Sequence, residues 1–297
     1  MSTPWGTPDQ ERDTWTGQYP PLDVHGIYPW SILDTRTTEW KNRRKFWDET
    51  IEDGTKGRDN TLYAHGKSGY HTSINGGRSA FDPVLTELMY TWYAPPHAHV
   101  YDPCAGGITR GAIAHELGHT YTGVDINDLQ IAANRVLGPN DATWICGDGT
   151  KQHVKPQSQD MVLTCPPYHN VEKYTDHPRD LSRMTWDEHL DALAEAMEQC
   201  YTALRDDRYM VWVTGDLRDS KGHLRGLHHH TASIITDAGF HLVNEHVLIN
   251  AVGTRHRMLR RWWSPTRSAG RLHQHVIVAV KGDRRRAADT VRRQPHC

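Results

Sequence analysis

Val100-Tyr101-Asp102-Pro103-Cys104-Ala105-Gly106-Gly107, closed by Gly123-Val124-Asp125, is the stretch whose reading decides the fold. An apolar strand runs into a glycine turn and a helix follows from about Thr109 to Leu117. Gly118 stops that helix, and a second strand, Tyr121 to Val124, ends at Asp125. This is a βαβ unit. Glycines at its turn let the backbone approach a ligand, and an acidic residue about 20 positions on stands where ribose hydroxyls are held. The Gly-x-Gly-x-x-Gly spacing is absent, which argues against a dinucleotide and leaves a smaller adenosine-type ligand open.

The strand-to-acid pattern recurs at Thr143-Trp144-Ile145-Cys146-Gly147-Asp148, so Asp102, Asp125 and Asp148 lie at the ends of successive strands. In open α/β sheets, ligands bind in the crevice at those ends. A fourth strand, Asp160 to Thr164, stops at Cys165-Pro166-Pro167-Tyr168, because two prolines fix the backbone and donate nothing to a ladder. A rigid turn with one small polar side chain and one aromatic suits a flat ring.

In order, Asp-Pro-Cys-Ala-Gly-Gly, Gly-Val-Asp, Gly-Asp and Thr-Cys-Pro-Pro-Tyr resemble the motifs of the S-adenosylmethionine-dependent DNA amino-methyltransferases, above all those carried by phages. These act on N4 of cytosine or N6 of adenine. The likeness covers about residues 76 to 282 and reaches weakly into Tyr28 to Asp34. It implies an α/β, Rossmann-like methyltransferase fold with a mostly parallel seven-stranded sheet, an antiparallel last strand and a helical N-terminal extension. It also implies S-adenosylmethionine as cofactor and DNA as partner. Asp102 would contact the methionine amino group, Pro103, Cys104, Ala105, Gly106 and Gly107 would wrap the methionine moiety, and Phe81, in Ser79 to Leu88, would pack on its end. Asp125 and Ile126 would hold the ribose, and Asp148 and Gly149 would face the adenine. Cys165, Pro166, Pro167 and Tyr168 would carry the chemistry, with Tyr168 stacked on the flipped base.

Two residues depart from the family pattern: Cys104 replaces Phe, and Cys165 replaces Asp, Asn or Ser. An exocyclic amine is a poor nucleophile that must be oriented and offered hydrogen-bond acceptors as it becomes tetrahedral, and a thiol is only a weak acceptor. The Pro166 carbonyl can supply part of that role. Cys is close in shape to the Ser of many N4-cytosine enzymes, so cytosine is slightly favoured. A thiolate attacking a pyrimidine ring for carbon-5 methylation stays open, although those enzymes place Cys after Pro. Also open are a nonenzymatic DNA-binding protein that keeps the fold, and methylation of RNA or of a protein side chain.

His115-Glu116-Leu117-Gly118-His119 matches the zinc-binding helix of metalloproteases. That site needs both histidines on one continuing helix, whereas Gly118 and the β-branched run after it place the helix end between them. No metal is expected. His228, His229 and His230 are adjacent and cannot all point one way. The chain of 297 residues holds five scattered cysteines, no apolar run that spans a membrane, and a polar, irregular Met1 to Gly6. Those features predict neither a disulfide framework nor a signal peptide, and a cytoplasmic protein; the phage resemblance implies a bacterial or phage-infected cell.

Net charge is −2, yet Ala251 to His273 holds no carboxylate and six arginines, Arg255, Arg257, Arg260, Arg261, Arg267 and Arg271, around Trp262 and Trp263. Arginines neutralise phosphates and tryptophans stack on bases. All of these but Arg271 and Trp263 are the candidate DNA contacts. A second patch, Trp40 to Trp47, reads as an amphipathic helix that docks on the catalytic domain or on a duplex. Further along, a helical stripe runs over Trp186 to Leu204 through Leu190, Leu193, Ala194, Met197 and Tyr201. Strands are predicted at Arg208 to Thr214, Phe240 to Ile249 and His273 to Val280, and a helix at His230 to Ala238. The last two strands are joined by the arginine-rich segment without a helix. The expected division is an extension over 1–75, a methyltransferase domain over 76–282 and a flexible basic tail over 283–297, with residues 1 to 27 lying loosely over the surface.

Overall fold

The computed structural model describes residues 23–52, 80–171, 174–252 and 256–291, and for 256–258 the backbone alone. The glycine-turn unit forms as read. Strand β2 is His99–Asp102, preceded by two N-terminal helices, α1 (Thr38–Thr50) and α2 (Pro83–Tyr93), and by a short strand β1 (Ile32–Asp34). After β2 come α3 (Thr109–Glu116), β3 (Thr120–Asp125), α4 (Asp128–Leu137) and β4 (Thr143–Cys146). The chain then returns to the other side of β2 as β5 (Gln159–Thr164). Helix α5 (Trp186–Ala203), β6 (Leu204–Thr214), α6 (Leu227–Asp237), β7 (His241–Ile249), α7 (His256–Thr266), β8 (His273–Lys281) and α8 (Arg284–Val291) complete it.

One sheet of eight strands results, in the order β1-β7-β8-β6-β5-β2-β3-β4. Strand β8 pairs antiparallel with both β6 and β7, while the other pairings are parallel. Without β1 this is the seven-stranded Rossmann-like methyltransferase fold. The additional edge strand comes from the N-terminal extension, with Leu33 opposite Leu248. Because β3 and β5 flank β2, the strand order reverses there, and the crevice opens at the carboxyl ends of β2 and β5.

The central strands alternate strictly between two cores. Met161, Leu163, Val211 and Val213 face the layer of α1, α2 and α8, whereas Val162, Met210 and Trp212 face α5 and α6. Helix α5 opens on a capping box of Thr185 and Glu188 and buries His189, Ala192, Leu193, Ala196, Met197, Cys200 and Ala203. This face is rotated from the predicted stripe: Leu190, Ala194 and Tyr201 are only half-buried, since the small Ala192, Ala196 and Ala203 allow the closer approach.

The structure corrects the sequence reading at several places. Helix α7 stands where a loop without a helix was expected between β7 and β8. Its Arg, Met and Leu residues favour helix, and Pro265 falls in its last turn. Arg284–Val291, expected as part of a flexible tail, is helix α8, which buries Ala287 and Val291 against β6, β8 and α2. Residues 292–297 lie outside the described residues. Val24 and Ile27, expected to lie loosely, are buried and paired with each other at 3.0 Å both ways; residues 1–22 lie outside the described residues. No helix among the described residues is long and apolar enough to cross a membrane.

If α8 belongs to the core layer, an unpaired carboxylate in its buried seam is costly. Ala287→Asp is expected to lower stability by about 3 kcal/mol or more in denaturant titration. An unchanged midpoint would remove α8 from the folded unit.

Candidate active site

A cavity of about 400 Å³ opens at the switch point. Phe81, Pro103, Cys104, Ala105, Gly106, Gly107, Asp125, Ile126, Asp148 and Gly149 line it, and so do Cys165, Pro166, Pro167 and Tyr168. The glycine turn and the Pro-Pro-Tyr turn, read separately in the sequence, are two walls of one space.

Asp102 is the exception among the predicted residues. Its side chain is fully buried and does not line the cavity. One carboxylate oxygen accepts from Thr164 Oγ1 at 2.8 Å and Cys104 N at 3.1 Å; the other accepts from Arg110 Nε at 2.5 Å and Tyr121 Oη at 2.7 Å. With both oxygens occupied twice, the expectation that Asp102 contacts a methionine amino group is corrected. It shapes the turn from beneath. Arg110, which the sequence reading missed, works with it: Nη2 donates to the carbonyls of Cys104 and Ala105 at 2.7 and 3.0 Å, and the guanidinium lies 4.4 Å over the Phe81 ring. Burial opposes its charge, but Asp102 and its other neighbours more than offset this and raise the guanidinium above its ordinary pKa. The available signal was one arginine on the otherwise small and apolar helix Gly111-Ala112-Ile113-Ala114.

Asp125 ends β3 and holds the turn, accepting from Gly106 N at 2.8 Å and Asn127 N at 2.9 Å. Gly106 takes φ 55° there. Gly149 lies so close to β2 that a Cβ would sit 2.1 Å from the Pro103 carbonyl oxygen. Asp148 lines the cavity but is already paired: it accepts from Thr150 N at 2.9 Å and Arg179 Nε at 3.0 Å. Burial pushes its pKa up, and those donors bring it below the usual carboxylate range. Arg179 also donates to Thr150 and Glu195, so the segment after the Pro-Pro-Tyr turn is tied across the end of β4. A second tie, Asn127 Nδ2 to the Tyr174 carbonyl at 3.2 Å, holds it at the start of α4.

At the other wall, Cys165 Sγ lies 3.4 Å from Tyr168 Oη, which accepts from Gln274 Nε2 at 3.0 Å. Burial raises the phenol well above its ordinary pKa. The ring packs on Gly215, where a Cβ would meet Cε2 at 2.8 Å. Tyr168 is thus a platform backed on one side and pinned at its hydroxyl.

The histidines of the apparent protease motif have other duties. Helix α3 ends at Glu116 and Gly118 takes φ 74°. His115 meets Asp141 at 2.9 Å, and His119 Nδ1 accepts from Ala98 N. His228 stacks on His275 at 4.1 Å. No group of three or more His, Cys, Asp or Glu among the described residues is arranged to hold a metal ion.

No protein-family model and no curated protein matches the chain. Among solved structures, it is similar to a TehB-like S-adenosylmethionine-dependent methyltransferase of Corynebacterium glutamicum, with 17% identity over 69% of this chain and 90% of that one and a TM-score of 0.42. It is also similar to a putative methyltransferase of Bacillus halodurans, with 12% identity over 68% and 99% and a TM-score of 0.46. A putative DNA modification methylase of Thermus thermophilus shares 18% identity over 43% and 47%, with a TM-score of 0.33. At these scores the likenesses carry nothing about substrate, and the fold rests on the strand order itself.

Among the described residues, none of the predicted DNA contacts lines the cavity. On and after α7, Arg260, Arg261 and Arg267 are exposed and Trp262 is half-buried. Arg255 lies outside the described residues, as does the side chain of Arg257. Asn250 and Ala251, just before α7, line the cavity.

Two outcomes test this geometry. Arg110→Met leaves the Asp102 carboxylate buried and uncompensated, so denaturant titration should register a loss of about 3–5 kcal/mol. Gly215→Ala forces the Tyr168 ring toward the cavity; it should cost about 1–3 kcal/mol of stability and lower turnover more than cofactor affinity. Unchanged turnover would show that the ring position does not matter.

Proposed function

We propose that the chain is a DNA methyltransferase that moves a methyl group from S-adenosylmethionine to the exocyclic amino group of a flipped base, with N4 of cytosine slightly favoured over N6 of adenine. One observation carries the reading: the glycine turn with Asp125 and the Cys165-Pro166-Pro167-Tyr168 turn wall a single cavity at the switch point. The residues present fit the cofactor. The volume falls within the range of about 300–1,000 Å³ for small-molecule sites, and Asp125 supplies a carboxylate beside the glycine turn that lines it.

S-adenosylmethionine, when bound, supplies an electrophilic methyl group. The chain's own part is positioning. Tyr168, backed by Gly215 and pinned by Gln274, offers a flat face to a base, and the Pro166 carbonyl and Cys165 Sγ accept hydrogen bonds from an amine as it becomes tetrahedral. Orientation of the reacting atoms accounts for the largest share of such catalysis. Helix α7 supports DNA as the partner: Arg260, Arg261 and Arg267 are exposed on a segment that follows the cavity-lining Asn250 and Ala251 in sequence, and phosphate neutralisation needs such cations.

The decisive experiment is nucleoside mass analysis of DNA and RNA from cells expressing the protein, beside a Cys165→Ser variant. N4-methylcytosine or N6-methyladenine, retained in the variant, is the expected result. 5-Methylcytosine that vanishes with Cys165→Ser would point to a covalent thiolate, and modification confined to RNA would overturn the DNA partner. Asp125→Ala should weaken cofactor binding about tenfold or more, whereas Tyr168→Ala should cut turnover about tenfold and spare the cofactor.

A further inference from the structure

Among the described residues, three arginines line the cavity: Arg44, Arg110 and Arg179. Arg110 is spent beneath the glycine turn on Asp102 and two carbonyls. Arg179 is spent at the opposite end, on Asp148, Thr150 and Glu195. Arg44 differs. It belongs to α1 of the N-terminal extension, and it stands with Ala80, Phe81, Asp82 and Leu85 at the end of the cavity where the resemblance puts the methionine moiety.

Its helix is firmly seated. Trp40 and Trp47, on the same face as Arg44, are 1% and 2% exposed. Trp40 Nε1 donates to Asp82 at 3.3 Å, and Trp47 Nε1 donates to Glu87 at 2.7 Å. Arg44 Nη1 donates to Asp82 at 3.1 Å, and Nε lies 3.7 Å from Asp48, beyond hydrogen-bonding distance. Nη2 has no hydrogen-bond partner among the described residues, and the side chain is 39% exposed. The N-terminus of α2, the other source of donors at this end, is already capped: Asp82 accepts from Val84 N and Leu85 N.

An amino-acid end bound in this cavity brings a carboxylate that must find donors, and a guanidinium on a fixed element offers a planar fork for it. Resting on the S-adenosylmethionine reading above, we infer that Arg44 binds the carboxylate of the cofactor's amino-acid end, so that the N-terminal extension completes the cofactor site. Asp82 then holds the guanidinium in place through Nη1 while Nη2 turns to the ligand.

Calorimetric titration of the full chain with S-adenosylhomocysteine and with 5′-methylthioadenosine, which keeps the nucleoside but lacks the carboxylate, tests this directly. Arg44→Met is expected to weaken S-adenosylhomocysteine about tenfold or more and to leave methylthioadenosine unchanged, and Arg44→Lys is expected to recover part of the loss. Equal affinity of wild type and Arg44→Met for S-adenosylhomocysteine overturns the assignment. A parallel loss for both ligands also overturns it, because that marks a purely structural role. Should Arg44→Met not melt cooperatively, Arg44→Gln provides the neutral variant and the same comparison decides. A wild-type chain that binds neither ligand sinks the cofactor reading itself, an outcome distinct from failure of Arg44 alone.

Discussion

The Asp102–Arg110 pair is the constraint on which the rest of the site depends. A carboxylate at the end of β2 touches β3 through Tyr121, β5 through Thr164, the turn through Cys104 N and α3 through Arg110. Burying such a pair is costly unless the remaining hydrogen-bonding positions are filled, and here they are. Because β2 sits between β3 and β5, this one side chain fixes the relative positions of the strand ends that form both walls of the cavity. The guanidinium extends the effect, holding the Cys104 and Ala105 carbonyls down and carrying the Phe81 ring on its face.

Above that base the cavity is closed by polar ties. Arg179 links the segment after the Pro-Pro-Tyr turn to Asp148, and Tyr174 of that segment is held by Asn127 at the start of α4, so the second wall is fastened to the ends of β3 and β4. The pair with Asp148 is partly exposed, at 38% and 19% for the two side chains, and surface pairs of this kind contribute little stability. Its weight lies in geometry: a ligand amine directed at Asp148 meets a carboxylate that already has a cation on one oxygen. Tyr168 is constrained differently, by contact with Gly215 and by Gln274 from β8. The antiparallel last strand therefore reaches into the site.

The βαβ unit, the four strand ends and the stop at Gly118 were legible because they rest on local chemistry: glycine and proline set φ, and apolar runs set strands. Asp125, Asp148 and Tyr168 followed from their places at those ends. Asp102 did not, since its neighbours Tyr121 and Thr164 come from other strands and no local pattern tells that they fill its acceptors. Arg110 and Arg179 were missed for the same reason, as each is defined by long-range partners. Helix α7 was hidden because its run of arginines and tryptophans was read as a basic loop between two strands, and Pro265 falls only in its last turn. Helix α8 was hidden by Arg284, Arg285 and Arg286, which made the segment look like a solvated tail although Ala287 and Val291 form a buried edge. Charge counted along the chain says little about a helix whose inward face is two small residues.

The N-terminal extension follows the same logic of distant partners. Glu87 on α2 is 3% exposed, and its carboxylate is held by Arg43 through two bonds of 2.6 Å and by Trp47 at 2.7 Å, all from α1. With α1 in place but the Arg43 guanidinium removed, that carboxylate would stay buried with its main partner gone, a loss of the order of 3–5 kcal/mol for a broken buried pair. Strand β1 adds a parallel edge to β7, and His246 Nδ1 lies 2.8 Å from the Trp30 carbonyl beside it. The basic patch of α1 is thereby divided: Arg43 points inward to Glu87, and Arg44 stands at the cavity. A run of cations that reads as a surface for nucleic acid is, at these two positions, the fastening between the extension and helix α2.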